Sequence, residues 1–203
     1  AGYNFDDLIL FFLVFNLMDM LGQIFFRGIY FFRRHIVSGD FDYTLLKPVN
    51  SLYWVLTFQT DILDLPLFIV VLLWILKNIL IFPLINILFF ILMIFCGFVL
   101  ILTIHILVAC LGIITTEVDH AIWIFRDLSS TARVPTDIYA PFLRYFLIFI
   151  IPIAVIFTFP TKSLMNLLSW QWFIYSFGIT TVFFLLSLRL WQWSLKKYAS
   201  ASS

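Results

Sequence analysis

No glycine in this chain is followed by lysine, so the backbone cradle and phosphate-reaching lysine of a P-loop cannot be assembled from it. Any ATP used by the protein must be hydrolysed on another subunit. The sequence also lacks G-x-S-x-G, H-E-x-x-H and C-x-x-C, which removes the serine-hydrolase, zinc-protease and paired-cysteine chemistries with the clearest signatures. Ionisable groups scattered through apolar sequence remain. Glu117-x-Asp119-His120 has the donor types of a metal cluster, although charged runs beside apolar segments are ordinarily solvated or ion-paired helix ends. His105 could relay a proton at membrane depth, or simply bond a neighbouring helix. Asp19, Asp61 and Asp64 lie in the most apolar company. A carboxylate at the centre of a bilayer costs about 2.5 to 3.5 kcal/mol, so each must face protein or water. They either line a pathway, pair with Arg126, Arg133 or Arg144, or sit nearer the interface than their apolar neighbours suggest.

The elements that position these groups follow from composition. Of 203 residues, 64% are hydrophobic and 11% charged, with mean hydropathy +1.10, whereas a soluble domain carries roughly 25% charged residues. Too little polar surface exists to cover a globule, so a single membrane domain is expected. The net charge of +1 offers no basic excess for nucleic acid. The apolar runs do not alternate as barrel strands would, so an all-α, polytopic helical bundle is the expected fold.

Spans are expected at 5–26, 52–76, 84–114 and 170–190, each near the roughly 20 residues that cross hydrocarbon. In the first, Asn16, Asp19 and Gln23 recur at helical spacing and form one polar stripe facing the interior. In the second, Asp61 and Asp64 fall on one face. The last is bracketed by Trp170 and Trp172 at one end and Trp191 and Trp193 at the other, as in interfacial aromatic belts. Cys96 and Cys110 share the third span about four turns apart, too far for a disulfide. Residues 115–134 mix charge with apolar side chains and form either a span or an interfacial helix. Residues 138–160 are apolar but contain Pro141, Pro152 and Pro160, which favours a broken or re-entrant hairpin over a straight helix.

Lysine and arginine orient the bundle. Arg27, Arg33, Arg34 and Lys47 mark 27–50 as cytoplasmic, and Lys196 and Lys197 do the same for the tail at 191–203. Both ends then lie inside if 115–134 crosses and 138–160 is an external hairpin, or if 115–134 stays at the inner surface and 138–160 crosses. Hydropathy alone favours the second arrangement, but the prolines, and the resemblance given below, favour the first.

Residues 27–50 form a longer connection than a turn needs, which suggests docking. Within it, Ser38, Gly39, Asp40, Asp42, Leu45, Leu46 and Pro48 match a small-Gly-acidic-x-Asp-x-x-Leu-Leu-x-Pro pattern. A second block comprises Arg133, Pro135, Ile138 and Tyr139, followed by Arg144, Ile151-Pro152 and Phe159-Pro160. Together they resemble the permease subunits of ABC-2 type ABC transporters, in the subfamily carrying that cytoplasmic motif. The resemblance implies a multi-pass protein of a prokaryotic inner or cytoplasmic membrane. It further implies a second permease, as homodimer or heterodimer, and cytoplasmic ATP-binding subunits that hold ATP and Mg. Arg33, Arg34, Ser38, Gly39, Asp40, Asp42, Leu45, Lys47 and Pro48 would couple to those subunits. Asn16, Asp19, Gln23, Asp61 and Asp64 would face the pathway or interior, and Arg133, Pro135, Tyr139, Arg144 and Pro152 would build an external gate. That family normally has an additional first span, so the chain is expected to begin in the loop after it. The competing expectation is an ion- or proton-coupled transporter or channel that uses Asp61, Asp64 and His105.

Overall fold

A computed structural model describes residues 2–116 and 118–198; Glu117 of the charged cluster, Ala1, and 199–203 of the expected tail lie outside the described residues. Among the described residues every regular element is helical.

Helix α1 (Phe5–Phe26) opens with Asp6 and Asp7 in its first turn, where the helix dipole favours negative charge, and Asp7 accepts the Asn4 backbone N–H at 2.9 Å. It runs almost without interruption into α2 (Ile29–Ser38), and the two form one apolar run of 34 residues, about 51 Å long. The basic connection expected after the first span is therefore a rigid extension of that span. Gly39 ends it with φ 79°, a left-handed conformation that costs a residue with a Cβ about 1 to 2 kcal/mol. The chain then turns into α3 (Asp40–Leu46).

Residues 52–76 do not form the single expected helix. They divide into α4 (Ser51–Thr57) and α5 (Leu65–Ile79), because Asp61 caps the Leu63 N–H at 3.1 Å and Pro66 starts a new helix in its first turn. Asp61 and Asp64 consequently lie in a non-helical link, not on one helix face. Helix α5 climbs beside α1, from the Arg27–Asp61 ion pair at 3.6 Å to the pocket shared by Leu10, Trp74 and Phe82.

Helix α6 (Leu84–Thr115) is about 48 Å long and returns through the middle of the bundle. Helix α7 (Asp119–Ser130), at about 18 Å, is too short to cross alone. With the tight turns Thr131–Arg133 and Thr136–Ile138, however, its contacts run the length of α1. Asp119 meets Arg33, Arg126 meets Tyr30, Arg133 lies over the Phe15 ring, and Asp137 meets Tyr3.

The proline-rich segment is a hairpin. One arm is α8 (Pro141–Tyr145), continued to Ile150 as a wider π-turn; the other is Ala154–Thr158 followed by α9 (Phe159–Leu164). The arms are bent by 88° at the break containing Pro152, whose missing N–H cannot continue the ladder. The second arm is buried on every side from Pro152 to Thr161. It packs tightly on Gly97 of α6, where a Cβ would lie 3.0 Å from the Ile156 carbonyl oxygen. Helix α10 (Trp170–Lys197) packs along α6 and completes the bundle. Small residues Ser176, Thr180, Ser187 and Ser194 are buried on its inner face, and much of the remainder is exposed and apolar.

Candidate functional site

The bundle has two chemically different ends joined by one polar side. At the first end lie α2, α3, α4, the start of α7 and the end of α10. Phe41, fully buried, anchors α3 by edge contacts with Phe32 at 5.1 Å and Tyr198 at 5.2 Å. Burial, assisted by the facing Asp42 carboxylate, pushes the Tyr198 phenol up to about 12. His35 stands edge-on to Trp54 and Phe58, which stack on each other at 4.5 Å. These contacts leave the outer surface of the turn open. Val37, Tyr43, Leu45, Leu46, Val49 and Tyr53 are exposed apolar residues beside Arg34 and Lys47, and Leu46 is 82% exposed. Ser38 donates to Asp40 at 2.7 Å and steadies the corner. Arg33 is held differently: it donates to the Thr116 carbonyl at 3.1 Å and pairs with Asp119 at 3.5 Å, bracing α2 against the chain that leaves α6.

The polar side runs along α1. Arg27 donates to Gln23 at 2.9 Å, Gln23 donates to the Tyr30 hydroxyl at 3.1 Å, and Arg126 donates to the same oxygen at 3.1 Å. Tyr30 is thus a hub for α1, α2 and α7, with the Arg27 guanidinium 5.0 Å above its ring. Asp19 is within electrostatic reach of Arg126, Arg133 and Asp64. Three carboxylates and three guanidiniums therefore share one flank, the arrangement that offsets part of each group's desolvation. The expected stripe divides: Asp19 is partly buried, Asn16 bonds back to the Phe12 carbonyl of its own helix, and Gln23 is buried inside the hub.

At the opposite end, Asp137 gathers three partners. Lys162 approaches its carboxylate at 2.6 Å, Arg144 at 3.0 Å, and the Tyr3 hydroxyl donates to it at 2.7 Å. Burial raises the Asp137 pKa, but the Lys162 and Tyr3 hydrogen bonds and the two cationic charges outweigh it and hold the carboxyl below its usual range. Burial and the same bond push the Tyr3 phenol well above its own. A polar cavity of about 650 Å³ opens beside these four residues, Asp7 and Met165.

Of the residues expected at an external gate, Arg144 and Pro152 belong to the hairpin. Arg133, Pro135 and Tyr139 belong to the segment that leads into it; Arg133 sits at the depth of Phe15, and Tyr139 donates to the Thr131 carbonyl at 2.7 Å. Sequence reasoning missed Tyr3, Asp137 and Lys162, and also Tyr30 as the hub. The available signal was one acidic residue in a segment whose nearest charges are basic. His105 is buried between Phe26 and Phe125, and its Nδ1–H donates to the Ile101 carbonyl at 2.8 Å. Among the described residues no hydrogen bond joins it to Asp61 or Asp64. Among the described residues no group of three metal-ligating side chains converges, which includes Asp119 and His120.

Three helical runs long enough to cross a bilayer, a bent hairpin at one end and a basic, apolar-faced corner at the other define a multi-pass membrane protein. Residues 1–202 match the family model described as ABC-2 family transporter protein, and the chain belongs to that family. No curated protein and no solved structure matches it. Membership makes the chain a membrane component of an ABC transporter that associates with ATP-binding subunits and is not itself the ATPase.

Proposed function

We propose that this chain is the permease of an ATP-driven exporter, working with a second permease and with cytoplasmic ATPase subunits that bind ATP and Mg. The corner formed by α2, Gly39 and α3 is the handle the ATPase grips. The observation that carries this reading is the rigid continuity of α1 with α2. A push on the exposed corner travels along one helical run to the polar flank at Asp19, without intervening flexible chain. The Ser-Gly-acidic motif at Ser38, Gly39 and Asp40 supplies the shape of the corner, while Leu45, Lys47 and Pro48 continue its outer surface.

Orientation follows from charge: Arg27, Arg33, Arg34, Lys47, Lys196 and Lys197 all belong to the handle end, which is cytoplasmic. The hairpin and Asp137 then lie at the outer face, and residues 119–133 form a crossing. Asp127, Ser130 and Arg133 are exposed on that crossing. Hydrocarbon would not solvate them, so a second permease or water covers this flank together with Asp19, Asp61 and Asp64. The substrate passes between the two permeases along this side, and the membrane is a prokaryotic inner or cytoplasmic one.

The test is substrate-stimulated ATP hydrolysis by the reconstituted complex. Charge reversal at Arg34 or Lys47, which are exposed on the handle, lowers stimulation while membrane insertion persists. Arg33→Glu lowers it too, and also loosens α2 from Asp119. Unchanged stimulation in all three variants, or transport that survives ATP depletion and stops when the proton gradient is collapsed, overturns the reading.

A further inference from the structure

The carboxylate cluster at the hairpin end has a geometry that the handle and the charged flank do not explain. Asp137 precedes the hairpin, Arg144 lies on its first arm and Lys162 on its second, and Tyr3 precedes α1. One side chain therefore ties both arms of a bent hairpin to each other and to the start of the first helix. The anchors are short and largely shielded: the side chains of Asp137 and Lys162 are 14% and 13% exposed. Below the cluster the second arm carries Thr158 and Thr161, fully buried, whose hydroxyls have no hydrogen-bond partner. Two unsatisfied hydroxyls in a buried arm are a poor design for a part that never moves, because each gains hydrogen bonds when water reaches it.

The joint also has the right mechanical character. The arms meet at 88° around a proline, and both contain π-turns, so neither is a stiff unbroken helix. Packing against Gly97 and Phe15 and the Asn86 bond to the Leu164 carbonyl at 3.0 Å hold the second arm, whereas the first arm has many exposed residues, Phe142 at 84% among them, and takes a 2.7 Å bond from the Tyr175 hydroxyl at the Ile148 carbonyl. Asp137 is the side chain that pairs with a cation on each arm.

We propose that Asp137 is a positioning residue of the transport cycle: it latches the hairpin shut across the outer end of the bundle, with Arg144 and Lys162 as the two catches and Tyr3 as the post. This rests on the placement of the hairpin at the outer face given under the proposed function. Release separates the arms, wets Thr158 and Thr161, and opens the bundle outward.

The experiment uses the full transporter complex in intact cells and a membrane-impermeant thiol reagent, with labelled positions read by peptide mass spectrometry. Phe142→Cys reports the orientation, Thr158→Cys reports opening, and the natural buried Cys110, in the half of α6 towards the handle, reports general loosening. Asp137→Asn removes the charge that both cations share. It is expected to raise the labelling rate at position 158 about tenfold or more, since a charge-assisted bond to a buried partner is lost. Cys110 stays unlabelled, and Asp137→Glu restores slow labelling at position 158. An unchanged rate at 158, equal acceleration at 158 and Cys110, or no rescue by glutamate each overturns the latch. In those cases rapid labelling of Phe142→Cys still leaves the outer placement standing; if that position cannot be labelled from outside, the placement and the latch fall together.

Discussion

Replacing Gly39 tests whether the shape of the handle, and not merely its charge, transmits work. The residue sits at φ 79°, ψ 1°, and its N–H donates to the Ile36 carbonyl at 3.3 Å. Alanine can occupy this conformation at a cost of about 1 to 2 kcal/mol, and asparagine, whose side chain bonds locally, at less. Proline cannot occupy it: its ring holds φ near −65°, a swing of roughly 140°, and it forfeits the N–H bond as well, worth about 1 kcal/mol. A swing of that size carries α3 away from α2 and pulls Phe41 out of its contacts with Phe32 and Tyr198. A penalty of 1 to 2 kcal/mol reduces the population of the correct corner by a factor of about 5 to 30 wherever another conformation competes. Substrate stimulation of ATP hydrolysis by the reconstituted complex should therefore fall in the order Gly, Asn, Ala, Pro, with Asn close to the parent and Pro near zero. Amounts of inserted protein should stay comparable across the series, because the corner lies beyond the apolar spans. Equal stimulation by the Asn and Pro variants would refute the reasoning, since no mechanical role for the corner is compatible with indifference to its backbone angle.

Four further outcomes are expected. Gly97→Val drives side-chain atoms into the Ile156 carbonyl, lowers stability by about 1 to 3 kcal/mol and unseats the hairpin, read as a lower unfolding temperature in detergent. Asn86→Leu leaves the Leu164 carbonyl without its 3.0 Å donor in a buried site; it should cost about 1 to 3 kcal/mol in the same assay. Tyr30→Phe removes the oxygen shared by Gln23 and Arg126, and transport should drop more than unfolding temperature does. Because the Asp137 carboxyl is held below its ordinary value of 3.8, its contribution to stability is complete above about pH 5 and is lost as pH falls through the lowered folded value. The unfolding temperature of the parent should drop on acidification below pH 4 by more than that of Asp137→Asn.

Composition and proline placement carried much of the architecture. An uncharged stretch of thirty-odd residues has few options in hydrocarbon other than a helix, and the expected run at 84–114 is α6 within one residue at its C-terminal end. The prolines of 138–160 mark a break because a missing N–H interrupts the ladder wherever it falls. Local chemistry went less far at 52–76, where the average hydropathy outweighed two aspartates and Pro66 that together make a link and a helix start. The corner at Gly39 was legible because a glycine between a basic segment and an acidic one is a local turn signal. The latch was not, since Tyr3, Asp137 and Lys162 are separated by 134 and 25 positions in the chain. Their meeting depends on residues 119–137 running the length of α1 and on a hairpin folding back to its own entrance. Hydrophobic pattern thus selects the helices, through the cost of bare backbone in lipid. Which distant charges touch is decided only when those helices pack, because a carboxylate's partner is chosen by position in space and leaves no periodicity in the chain.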